Sequence, residues 1–198
     1  MSALIRPGHE LVDRAQSVLV VIDIQSYFLG KLPLDVRAPL VERMAWLMRV
    51  ARALDIPIVA TAEDMARNGP LVPALLEALP AGQTVHDKLI FGLTGQADIL
   101  KDVRASGRST AVLIGLETDV CIAQSALGLA SAGIRAVVIE DATHSPPPHH
   151  GAGIARLREA GVVIQSVKGL YYEWVRDLET HRKLGGLVQA PLPAGLTL

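Results

Sequence analysis

Six short strand-like runs, five of them apolar and the third more polar, alternate with stretches of helical period, and that alternation constrains the fold of this chain more than any other feature. The runs lie at residues 17–24, 56–61, 83–88, 109–114, 134–140 and 162–164. Between them apolar residues recur every three or four positions. Asp35 is placed to cap a long helix carrying Leu40, Val41, Met44, Leu47, Met48, Ala51 and Leu54 on one face. Shorter helices are expected at 73–79, at 96–105, from Cys121 to the closing Gly133, at 153–160 and at 170–179. Stretches 25–33, 63–70 and 141–150 read as loops, and the chain from 185 onward as an irregular tail. Strand followed by helix, six times over, implies right-handed crossovers and a doubly wound sheet: an α/β fold of three layers, α/β/α, Rossmann-like.

Half of the 198 residues are hydrophobic and only 4% aromatic, so the core is built from Ala, Leu, Val and Ile. Parallel strands covered on both faces need such a core. No repeat or linker divides the chain, and residues 1–198 are expected to form a single domain.

The formal net charge is −1, with no basic stripe, which argues against nucleic acid and anionic membranes as partners. No apolar run reaches the length of a membrane span, and one cysteine excludes an internal disulfide framework. Residues 1–10 lack the apolar core of a signal peptide, so a cytoplasmic protein is expected. Mean hydropathy of +0.34 and the aromatic last helix point to a homo-oligomer, a dimer or larger.

The stretch 111–125 carries the chemistry. A β-branched run ends at Gly115, and six residues later the only cysteine, Cys121, stands where a helical pattern begins. A helix N-terminus favours thiolate over thiol, so Cys121 is a candidate nucleophile, although a lone cysteine is more often a small buried hydrophobe. The carboxyl ends of the runs carry Asp23, Glu63, Lys88, Cys121 and Asp141 in succession, on the rim where open α/β sheets bind ligands. Asp141 is best read as a turn residue holding backbone amides. Carboxylate, amine and thiol together suit one reaction. The carboxylate takes the thiol proton and later gives it to a leaving amine, the ammonium stabilises developing negative charge, and the sulfur attacks a carbonyl to give an acyl-enzyme. Backbone N–H groups of the turn from Gly115 to Cys121 are natural oxyanion donors.

Val-Val-Ile-Asp23-Ile-Gln25, Lys88 after the third strand and Gly115-Leu-Glu-Thr-Asp-Val-Cys121 together resemble the isochorismatase-like cysteine hydrolase family, which includes nicotinamidases and N-carbamoylsarcosine amidohydrolases. The resemblance runs from Val18 to about Asp177 and is closest to uncharacterised isochorismatase-domain proteins. It implies a six-stranded parallel sheet of order 3-2-1-4-5-6, with Asp23, Lys88 and Cys121 as catalytic triad. It also implies a cis peptide at Leu116–Glu117 and the N–H groups of Glu117 and Cys121 as oxyanion hole. Where nicotinamidases carry an Asp-x-His metal motif, this chain reads Glu63-Asp64-Met65, so no metal or other cofactor is expected. His144, His149 and His150 lack ligand spacing.

These features favour hydrolysis of an amide or carbamoyl C–N bond in a small molecule. Isochorismatase-type vinyl-ether hydrolysis, which does without the cysteine, and a non-catalytic redox or scaffold role stand as alternatives. Gln25 is taken as a substrate ligand or a loop brace, and Phe28 and Phe91 as apolar walls for a small planar substrate or as core.

Overall fold

The computed structural model describes residues 10–198; nearly all of the opening segment read above for a signal peptide lies outside them. Six strands form one parallel sheet in the order β3-β2-β1-β4-β5-β6. They are β1 Ser17–Ile22, β2 Ile58–Glu63, β3 Val85–Lys88, β4 Thr110–Leu116, β5 Arg135–His144 and β6 Val163–Gln165. Every residue of β1 and β4 is buried, which explains their unbroken apolar sequence.

Strand geometry sorts the core into two layers. Val18, Val20 and Ile22 face one side, where they meet helices α5 (Ala97–Ala105), α6 (Ala123–Ser131) and α7 (His149–Glu159). Leu19 and Val21 face the other, against α2 (Leu34–Ala53) and α8 (Val167–Val175). Successive side chains of a strand point to opposite faces, so one run of six residues feeds both layers. The remaining helices are short: α1 Ser26–Leu29, α3 Met65–Asn68, α4 Pro73–Ala78, α9 Leu178–Lys183 and α10 Gly185–Gln189.

Strand order reverses between β1 and β4, which pair in register from Ser17 with Thr110 to Ile22 with Gly115. The carboxyl ends of these two strands therefore border the crevice where such sheets take ligands. Gly115 has φ +137, and a Cβ there would run into the Ile22 carbonyl oxygen. Only glycine fits that approach.

Several boundaries differ from the sequence reading. β2 runs on through Glu63, because Glu63 pairs with Lys88 of β3. β5 continues past the charged Glu140 and Asp141 to His144, and α7 begins at His149, so little of the expected loop 141–150 remains. Asp141 nonetheless holds a backbone amide, its Oδ1 accepting from Val167 N at 2.7 Å. The expected last helix is two: α8 stops where Arg176 turns to φ +68, and Asp177 caps α9 by accepting from Thr180 N. The tail carries α10, whose Leu187 carbonyl accepts from Trp46 Nε1 at 3.1 Å. No helix among the described residues is long and apolar enough to cross a membrane.

Candidate active site

Asp23 follows β1 directly and is fully buried, with φ +55. A non-glycine residue in the left-handed region carries strain that only its surroundings maintain. The surroundings here are specific. Asp23 N donates to the Thr61 carbonyl at 3.0 Å, and Thr61 Oγ1 donates to Asp23 Oδ1 at 2.8 Å.

Lys88 ends β3, the edge strand, and its stem crosses the end of the sheet to reach the centre. Its ammonium lies 2.9 Å from Asp23 Oδ2, 3.5 Å from Glu63 Oε2 and 3.7 Å from Cys121 Sγ, and donates to the Ile90 carbonyl at 3.1 Å. A fully buried lysine is tolerated only when its charge is matched. Burial works against the ammonium, but the neighbouring carboxylates, Asp23 foremost and Glu63 with it, outweigh it and hold its pKa above the ordinary value. Burial raises the Asp23 carboxyl, with Lys88 and the Thr61 hydroxyl opposing.

Cys121 sits within a single wide helical turn, Thr118–Ile122, that leads into α6. Wide turns of this kind concentrate at functional sites. The Glu117 carbonyl accepts from both Val120 N at 3.2 Å and Ile122 N at 3.1 Å, and the Leu116–Glu117 peptide is cis. Cys121 is 3% exposed, and its sulfur donates to Glu63 Oε2 at 3.3 Å. Burial first, then the Asp23 charge, push the thiol well above its usual range, and Lys88 offsets only part of this. The pull toward thiolate expected from the helix terminus is thus opposed: burial and the two neighbouring carboxylates favour the protonated thiol.

The sequence reading did not include Glu63 among the catalytic or binding residues. Its carboxylate completes a ring of three acceptors, with Asp23 and Cys121, whose ligand atoms lie within 4.8 Å of one another. The Lys88 ammonium supplies the positive charge at the middle of that ring. Gln25 needs correction as a substrate ligand. Its amide donates to the carbonyls of Glu63 at 2.9 Å and Gly69 at 2.6 Å and accepts from Glu63 N at 2.7 Å, fully buried. It is the brace that fixes Glu63.

A cleft of about 260 Å³ opens over the sulfur. Phe28 and Phe91 line it as the two aromatic residues expected from the sequence, and Tyr27 joins them. At its mouth Lys31 Nζ stands 4.5 Å from the Phe28 ring centre and 3.2 Å from Glu117 Oε1. Nothing in the loop sequence marked Lys31. A larger cavity of about 710 Å³, bordered by Arg14, Asp55 and Lys183, lies apart from Cys121 and the cleft above it. His150 and His144 stack at 4.8 Å, and His150 Nδ1 meets Thr118 Oγ1 at 2.9 Å, so this pair supports the cysteine turn from behind.

Residues 17–168 match the model of the isochorismatase domain. Isochorismatase domain-containing protein 2 of Bos taurus is 30% identical over 195 residues, covering 96% of this chain and 92% of its own length. Among solved structures, YcaC from Pseudomonas aeruginosa, which holds hexane-2,5-diol and covalent acrylamide, superposes with a TM-score of 0.80. It is 26% identical over 92% of this chain and 94% of its own. The Escherichia coli YcaC product, described as an octameric hydrolase of unknown specificity, also gives a TM-score of 0.80. At 23% identity over 89% of this chain and 88% of its own, it shares the fold.

Proposed function

The chain belongs to the isochorismatase family of hydrolases, and from that premise we propose that it cleaves an amide or carbamoyl C–N bond of a small molecule through an acyl-cysteine. The observation that carries this reading is the Lys88 ammonium, held between Asp23 at 2.9 Å and Cys121 Sγ at 3.7 Å beneath the cleft. In this account Asp23 and Lys88 form a fixed charge pair and Cys121 attacks the carbonyl carbon. The thiol proton leaves to a neighbouring carboxylate and ends on the departing nitrogen. The N–H groups of Glu117 and Cys121 receive the carbonyl oxygen as it gains charge. Water then cleaves the thioester, its hydroxyl going to the acyl group and its proton back to sulfur.

A cysteine beside an ammonium supports this reading over vinyl-ether hydrolysis. A buried thiol with a raised pKa argues against a redox sensor, which needs an accessible thiolate. The whole chain is taken to act as one catalytic domain without metal or other cofactor, on a small substrate, in the cytoplasm. Self-association belongs to the same proposal, supported by the exposed Leu34, Leu89, Ile90 and Leu178.

The test is ammonia release from a panel of small amides and carbamoyl compounds. Wild type is expected to turn over at least one member, with Cys121→Ala inactive and Asp23→Asn nearly so. Wild-type rates in Cys121→Ala would end the acyl-cysteine account.

A further inference from the structure

We propose that Glu63 is a second catalytic carboxylate, accepting the Cys121 proton as the sulfur attacks and delivering it to the leaving group; this rests on Cys121 being the nucleophile. Three observations single out Glu63.

The first is the direction of the thiol. Cys121 Sγ donates to Glu63 Oε2 at 3.3 Å. No hydrogen bond joins the sulfur to Asp23, whose Oδ1 accepts from the Thr61 hydroxyl at 2.8 Å and whose Oδ2 accepts no hydrogen bond but pairs with the Lys88 ammonium at 2.9 Å.

The second is access. Glu63 lines the cleft with Cys121 and its side chain is 17% exposed, whereas that of Asp23 is 1% exposed and lies outside the cleft wall. A group that must pass a proton on to a departing nitrogen has to reach the substrate. Glu63 reaches both the sulfur and the cleft.

The third is rigidity. Gln25 bonds both the N–H and the carbonyl of Glu63, and Asn68 Nδ2 donates to the same carbonyl at 3.1 Å. A clamp on both backbone groups keeps the carboxylate at the sulfur, as positioned proton transfer requires.

Charge conservation favours the same route. Asp23, Glu63 and Lys88 already sum to one negative charge, and a free thiolate would add a second on a buried sulfur. Moving the proton from sulfur to Glu63 leaves the sum unchanged, and the low-dielectric penalty is avoided. The other charged groups at this cleft are Asp64, Arg67, Lys31 and Glu117.

The step balances without a co-reactant. Sulfur bonds to the acyl carbon, the bond to the leaving group breaks, and the one proton travels from sulfur through Glu63 to that group.

The experiment follows acylation of the full chain by p-nitrophenyl acetate between pH 6 and 9, by nitrophenol release and intact mass. Wild type is expected to give a rate nearly flat across neutrality. Glu63→Gln should lose that plateau, fall about 100-fold at pH 7 and climb about tenfold per pH unit, as a thiol attacking only through its thiolate does. Glu63→Asp, which keeps a carboxylate on a shorter stem, should recover the flat shape at a reduced rate. The proposal is overturned if the plateau survives Glu63→Gln and disappears in Asp23→Asn, if wild type has none, or if Glu63→Asp behaves as Glu63→Gln does. Cys121→Ala separates the two claims: undiminished acylation there sinks the nucleophile itself, whatever Glu63 does.

Discussion

Lys88 Nζ and Asp23 Oδ2 stand 2.9 Å apart with both side chains closed to solvent, so each holds the other's charge inside the protein. Removing one partner of such a pair strands the other. Lys88→Met is expected to destabilise the fold by about 3–5 kcal/mol, measured by urea unfolding at pH 7. The deficit should shrink as pH falls, because Asp23 then enters the fold protonated. Adding Asp23→Asn should recover part of the loss, and a double variant no better than the single one would contradict the pairing.

Gln25 acts through Glu63. Gln25→Leu leaves the N–H of Glu63 without its side-chain partner and its carbonyl with Asn68 alone, for a loss of about 1–3 kcal/mol. Turnover should fall further than stability alone explains, since the displaced carboxylate no longer meets the sulfur. Comparing kcat with KM separates this from a substrate ligand, whose loss would raise KM.

Gly115 occupies φ +137 against the Ile22 backbone, so Gly115→Ala has nowhere to put its methyl group. A loss above about 3 kcal/mol, or failure to fold, is expected in a thermal melt. A near-neutral melt would show that β1 and β4 do not close up as described.

His150 packs beside Thr118 and His144, where burial first and His144 second hold its pKa below the ordinary value. The folded protein thus binds fewer protons at this site than the unfolded chain. Its contribution is present above the unfolded pKa of about 6.5 and is lost as pH falls through that value toward the lower folded one. Urea titrations at pH 7.5 and 5.5 should show wild type losing more stability on acidification than His150→Gln. An equal loss in both would exclude His150 as a source.

The centre of the sheet is legible because β1 and β4 are buried on both faces, and a nearly continuous apolar run satisfies that position. Asp23 is legible for a related reason, standing directly after such a run; Lys88 closes the short, mostly polar β3, and Cys121 lies in the turn that follows β4. Glu63 was harder, since the apolar pattern of β2 stops at Thr61, and only pairing with Lys88 on a separate strand extends it. Register between distant strands is not written in either one alone. β5 was cut short for the same cause, as Glu140 and Asp141 interrupt the pattern while the buried Ala142 and Thr143 continue the ladder. The upward pull on the Cys121 thiol is not legible in the local sequence, which shows the helix terminus, whereas the burial and the two nearby carboxylates are tertiary facts.

The most direct measurement of the central claim is the mass of the Cys121-containing peptide after rapid acid quench during turnover of the best amide substrate. The account predicts an added mass equal to the acyl portion, found on Cys121 in wild type and missing in Cys121→Ala. Sustained turnover with an unmodified Cys121 at every quench time, and a Cys121→Ala protein that releases ammonia at the same rate, would contradict it.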